Sequence, residues 1–168
     1  ATSKDSFVCE ESIQGVVLVS ANSRGDGAIG LSAKNELFEI EPTFQLRQRN
    51  VQAASLSPSG GFCVLVDTIG LVTLYDSSWN AIYASTASLA QRPRRLSAPF
   101  QSSQGGVVHD VVFHRLSDGG RGIWAIVAIV DDELDVYVRK KNDSDFRRVL
   151  VRKTSATKLV PFVNVESR

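Results

Sequence analysis

The chain has 168 residues, 43% hydrophobic and 22% charged, with a formal net charge of +1, the composition of an ordinary globular domain and not of a disordered or collagen-like chain. Its longest uncharged apolar run, Ile123 to Val130, falls far short of the roughly 20 residues a membrane-spanning helix needs. The net charge hides an asymmetry: residues 1–84 carry 5 basic and 9 acidic side chains, and residues 85–168 carry 14 and 9, a split able to orient a partner.

The start, Ala1-Thr2-Ser3-Lys4-Asp5, has no signal-peptide pattern. With no methionine and Ala1 first, the sequence is expected to be a processed or fragmentary chain, or one lacking some loops. Cys9 and Cys63 lie in or beside apolar stretches without zinc or disulfide spacing. They read as reduced core residues, which favours an intracellular, cytoplasmic setting.

Taken in order, Val16 to Ser20, Ala28 to Ser32, Glu36 to Ile40 and Phe44 to Arg49 are short strands separated by turns. Val51 to Ser57, a Pro58-Ser59-Gly60-Gly61 turn, Phe62 to Asp67, a Thr68-Ile69-Gly70 turn, Leu71 to Asp76, and Ala81 to Thr86 form a second four-stranded meander. Residues 88–106 interrupt the pattern with Arg92-Pro93-Arg94-Arg95 and a Ser/Gln/Gly-rich run, the composition of an exposed loop. Val107 to Arg115, Ile123 to Val130, Leu134 to Arg139 and Phe146 to Arg152 make a third meander, and Leu159 to Val165 begins another unit. Alignment on the second turn makes Asn35, Gly70 and Asp132 equivalent, and likewise Ile40, Tyr75 and Tyr137. No segment has sustained helical periodicity.

Recurring four-stranded meanders of about 40 residues are the signature of β-propeller blades. The expected fold is therefore all-β, about three blades (16–50, 51–87 and 107–153) of a larger propeller. A β-sandwich or barrel fits the same strands and turns.

Chemistry-bearing clusters are sparse. His109, Asp110 and His114 lie on one strand, where alternation sends His109 away from both others. Asp131, Asp132, Glu133 and Asp135 lack the spacing of a calcium loop and read as a solvated turn. The Gly25-Asp26-Gly27 and Gly119-Gly120-Arg121-Gly122 stretches open no helix and read as hairpin turns, not phosphate cradles. No nucleophile and base pair up, so neither an enzyme nor a cofactor is expected, and no metal. Arg92, Arg94 and Arg95, Arg139-Lys140-Lys141, and Arg147-Arg148 with Arg152-Lys153 read first as a solvated basic face, and otherwise as positive charge for an acidic protein partner or for the phosphates of a nucleic acid. Trp79, in a polar turn, reads as a contact residue, and Trp124 as core. The candidate partner-binding set is thus Trp79, Arg92, Arg94, Arg95, Arg139, Lys140 and Lys141.

Two blocks carry a family resemblance. Ser55 to Asp76 (SLSPSGGFCVLVDTIGLVTLYD) resembles a blade of the non-catalytic, regulatory subunit of the Rab GTPase-activating complex, whose pattern is Leu-Ser-Pro-Ser-Gly, an apolar strand, Asp-Ser-Leu-Gly-Arg and an apolar strand ending in Asp. Asp67-Thr68-Ile69-Gly70-Leu71 stands at the Asp-Ser-Leu-Gly-Arg position. Ala125 to Phe162 is similar to the following blade, with Asp135-Val136-Tyr137 at its Glu-Val-Trp and Lys158-Leu159-Val160 at its Lys-Leu-Leu. The resemblance implies a WD-type N-terminal propeller supporting a separate catalytic subunit that acts on a small GTPase in membrane traffic, with the catalytic arginine on that partner. The expected function is accordingly a non-enzymatic interaction scaffold in a multi-subunit assembly. The alternative is an RNA-associated structural subunit of a ribonucleoprotein that uses the basic half.

Overall fold

The computed structural model describes residues 15–58, 61–85, 106–118, 121–140 and 142–160. Twelve strands follow one another: β1 (Val16–Ala21), β2 (Ala28–Ser32), β3 (Leu37–Glu41), β4 (Gln45–Gln48), β5 (Val51–Leu56), β6 (Phe62–Asp67), β7 (Val72–Asp76), β8 (Ala81–Ala84), β9 (Val108–Asp118), β10 (Arg121–Val130), β11 (Glu133–Arg139) and β12 (Arg147–Lys153). They form three four-stranded sheets, each an antiparallel meander in chain order. Sheet 1 holds β1 to β4, sheet 2 holds β5 to β8 and sheet 3 holds β9 to β12. The boundaries lie within a few residues of those expected from the alternation of apolar and polar residues. Residues 88–105, most of the proposed insertion, lie outside the described residues, as does most of Leu159 to Val165.

The first strand of the middle sheet, β5, packs against the first strands of the other two, β1 and β9. This layering explains the apolar run FCVLVD. Alternate residues of a strand point to opposite faces, and both faces of sheet 2 are covered. Val64 and Val66 join Val111, Phe113, Ile126 and Tyr137 in the core between sheets 2 and 3. Cys63 and Leu65 join Ile29 and Leu37 in the core between sheets 1 and 2.

The three sheets share their joints as well as their strands. The chain leaving each fourth strand donates a backbone hydrogen bond to the second hairpin of the sheet it leaves: Val51 N to Asn35 O, Ser85 N to Val72 O, and Thr154 N to Asp132 O, each 2.8 Å. Asn35 and Gly70 occupy the left-handed region, with φ of 60° and 90°. In the third sheet the left-handed residue is Asp131, φ 54°, because Val130 pairs directly with Glu133 and the turn is shorter. Asp132 therefore matches Asn35 and Gly70 in place but not in backbone conformation.

One expectation is corrected. Asp135 is not part of a solvated turn: it is fully buried, accepts a hydrogen bond from Tyr137 Oη at 2.9 Å and lies 3.9 Å from Arg148. Asp135 and Tyr137 are two apart on β11 and share its covered face, and a buried carboxylate needs such partners. The neighbouring Asp131, Asp132 and Glu133 do behave as a surface turn, with Lys153 Nζ 3.0 Å from Asp132 and 3.2 Å from Glu133.

Candidate functional site

Trp79 sits in the β7–β8 turn. Asp76 Oδ1 accepts the backbone N–H groups of Ser78 and Asn80, both at 2.9 Å, and Trp79 N donates to Asp76 O at 3.0 Å. The Asn80 backbone donor, then the Asn80 side chain and the Ser78 backbone, hold the Asp76 carboxyl below its usual range. Asp67 builds the β6–β7 turn in the same way, through Ile69 N and Leu71 N. There the left-handed residue is Gly70; here it is Trp79, with φ 61°.

A bulky residue in that conformation needs compensation, and the seam with sheet 1 supplies it. Trp79 Nε1 donates to Glu39 Oε2 at 2.9 Å, and Arg47 Nη2 donates to Glu39 Oε1 at 2.8 Å. The Arg47 guanidinium lies 5.2 Å from the indole centroid, and the Tyr75 ring lies 5.9 Å away. Trp79 is thus half-buried between two sheets. Glu39 is 9% exposed, and Asp26, Glu41, Asp76 and Trp79 share with it a cleft of about 230 Å³ at the end of sheets 1 and 2. Cys63 borders the same cleft; burial, then the Glu39 charge, pushes its thiol up to about 12.

Arg139 belongs to the other seam. Its guanidinium lies between the Tyr83 ring of sheet 2, at 5.3 Å, and the Trp124 ring of its own sheet, at 5.1 Å. Trp124 in turn meets Phe113 edge-on at 5.9 Å, half-buried against the core. Tyr83 meets Phe146 edge-on at 5.1 Å and donates its hydroxyl to Asp145. Burial and then that hydrogen bond raise its pKa.

Of the other expected contact residues, Lys140 is exposed, with its backbone N–H bonded to Asp143. Arg92, Arg94, Arg95 and Lys141 lie outside the described residues. Trp79 and Arg139 are on different seams and do not converge on one surface. His109 is exposed, His114 half-buried and Asp110 buried, so the three do not assemble, and among the described residues no group of three His, Cys, Asp or Glu could hold a metal ion. Nor, among those residues, is any helix long and apolar enough to cross a membrane. Glu39 was legible in one respect: in ELFEI it shares a face with Leu37, and an acid on an apolar face signals a buried partner.

These features define an all-β protein of three stacked antiparallel meanders. No family model matches the chain, and no curated protein matches it. Solved structures do show similarity. One, described as KlHsv2 with loop 6CD replaced by a Gly-Ser linker, has 14% identity and a TM-score of 0.41 over 83% of this chain. The chain spans 44% of that structure's length.

Proposed function

We propose that the chain is a non-enzymatic interaction scaffold: three consecutive blades of a larger β-propeller that presents fixed loops to other subunits of an intracellular assembly. The observation that carries this reading is the repeated joint. Each meander begins with a strand that packs beside the first strand of its neighbour. Propeller blades are related in this way. Seams filled by Trp79 with Glu39 and Arg47, and by Arg139 between the Tyr83 and Trp124 rings, favour rigidity over chemistry. Rigid elements presenting turns suit recognition.

The more specific proposal is a regulatory subunit supporting a catalytic partner that acts on a small GTPase in membrane traffic. It rests on the Ser55 to Asp76 and Ala125 to Phe162 patterns alone. The experiment is isolation of the natural polypeptide from its source under native conditions, with intact mass and identification of what accompanies it. A polypeptide longer than 168 residues, carrying stable protein partners with a GTPase-activating subunit among them, is the expected result. Bound RNA that dissociates steeply with rising salt, and no protein partner, would overturn the reading.

A further inference from the structure

The cleft between sheets 1 and 2 has more hydrogen-bond acceptors than donors to meet them. Its floor is apolar, from Ile29, Leu56 and Phe62, with one edge of Trp79. Around the rim stand the carboxylates of Asp26, Glu39, Glu41 and Asp76, against a single cation, Arg24, itself 3.9 Å from Asp26. Both Glu39 oxygens are taken, by Trp79 and Arg47. The Glu41 side chain is exposed, with no hydrogen bond or ion pair among the described residues. Asn22 gives its amide N–H to Asp26 at 2.7 Å, and its Oδ1 is enclosed, with no partner among the described residues.

From this we infer that the cleft is a binding site for a guanidinium group on an apolar stem, the side chain of an arginine in a partner protein. A guanidinium has five N–H donors, no acceptor and a fixed charge, and its flat face suits an aromatic wall. The protein already contains that arrangement: Arg47 lies over the Trp79 ring and bonds to Glu39 from the far side. The cleft offers the incoming group a carboxylate, Glu41, as its ion partner, with Asp76 beside it and Phe62 and Leu56 along the stem. The inference rests on the scaffold reading, for which it names a recognition chemistry.

The test is titration of the ¹⁵N-labelled chain with N-acetyl-arginine methylamide, following the Trp79 indole N–H and the amides of Asp26, Gly27, Asp76 and Ser77. Saturable shifts confined to those signals are expected, weakening with salt. Glu41→Gln, an exposed change that leaves the fold's spectrum in place, should weaken binding about threefold to fivefold, and Arg24→Ala should strengthen it by a similar factor. Equal binding of the neutral citrulline analogue, shifts elsewhere on the chain, or no saturation would overturn the site. Agmatine binding as tightly as the capped arginine would overturn the assignment to a partner's side chain in favour of a small guanidino compound. None of these outcomes depends on co-purification, so failure here is separable from failure of the scaffold reading.

Discussion

At the scale of single residues, Trp79 is held in a left-handed turn that glycine occupies in the preceding hairpin, and its indole N–H satisfies a carboxylate that is 9% exposed. Trp79→Phe keeps the ring beside Arg47 but removes the donor. Leaving Glu39 short of a partner should lower the unfolding free energy by about 1–2 kcal/mol, measurable by urea denaturation. If Trp79→Phe is neutral, the Glu39 bond does not hold the seam. Cys63 offers a second check. With its thiol pushed up to about 12 from an ordinary 9.0, its thiolate fraction near neutrality falls about a thousandfold. Iodoacetamide should therefore leave the Cys63 peptide unmodified in the native chain and alkylate it rapidly in denaturant, as peptide mass mapping would reveal. The sign for stability follows: a thiol whose folded pKa is raised favours folding fully below 9.0, and that contribution is lost as pH climbs through about 12. The stability advantage of the wild type over Cys63→Ala should shrink across that window.

At the scale of strands and sheets, the buried pair across β11 and β12 links Asp135 with Arg148, which is 7% exposed. Asp135→Ala strips a buried guanidinium of its carboxylate and the Tyr137 hydroxyl of its acceptor. The loss should be about 3–5 kcal/mol, read by thermal or urea unfolding, and a loss under 1 kcal/mol would show that the pair is not structurally important. Gly30 in β2 tests close packing instead. A Cβ there would lie 2.6 Å from Val16 Cγ1 and 2.8 Å from the Val17 carbonyl oxygen, so Gly30→Ala must displace backbone and should destabilise by about 1–3 kcal/mol. All twelve strands were legible in the sequence, most from alternation between turn residues, and β6 and β10 from strand-length apolar runs bounded by turns. The site was much less so. The alternation of ELFEI put Glu39 on the face of Leu37, but that Trp79, 40 residues later, would cap it depends on how two sheets stack. The acidic string DDELD hid a change of environment within five residues: Asp131 and Asp132 stay in solvent, Glu133 is half-buried and Asp135 is buried, because the strand begins at Glu133 and Asp135 faces Tyr137 and Arg148.

For the molecule as a whole, the two seams are unequal. The core between sheets 2 and 3 includes Phe113, Tyr137 and Phe146 with Trp124 and Tyr83 against it, whereas that between sheets 1 and 2 is built of smaller aliphatic residues, with Tyr75 and Trp79 at its edge. Sheet 1 also keeps an uncovered side: Leu18 is 59% exposed and Phe44 40%, the latter stacked on Phe38 at 5.1 Å. Burial scales with apolar area removed from water, so sheet 1 is the least firmly held. The far end is better secured, since Asp110, 5% exposed, accepts Leu159 N at 2.6 Å and Lys158 Nζ reaches Val19 O at 2.9 Å, drawing residues 154–160 across from β9 to β1. Native-state hydrogen exchange should therefore resolve at least two openings, with amides of β2 and β3 exchanging at a lower free energy than those of β6 and β10. Ile29→Ala should lower the first opening more than the second, whereas Phe113→Ala should lower both, because sheet 2 relies on sheet 3 for one face. A single opening energy across all twelve strands would mean that the seams transmit stability fully and that the chain unfolds as one cooperative unit. Coverage of the free side of sheet 1 by a further sheet would raise the first opening alone, so the same measurement on a longer natural polypeptide would reveal whether that side is a seam in the complete assembly.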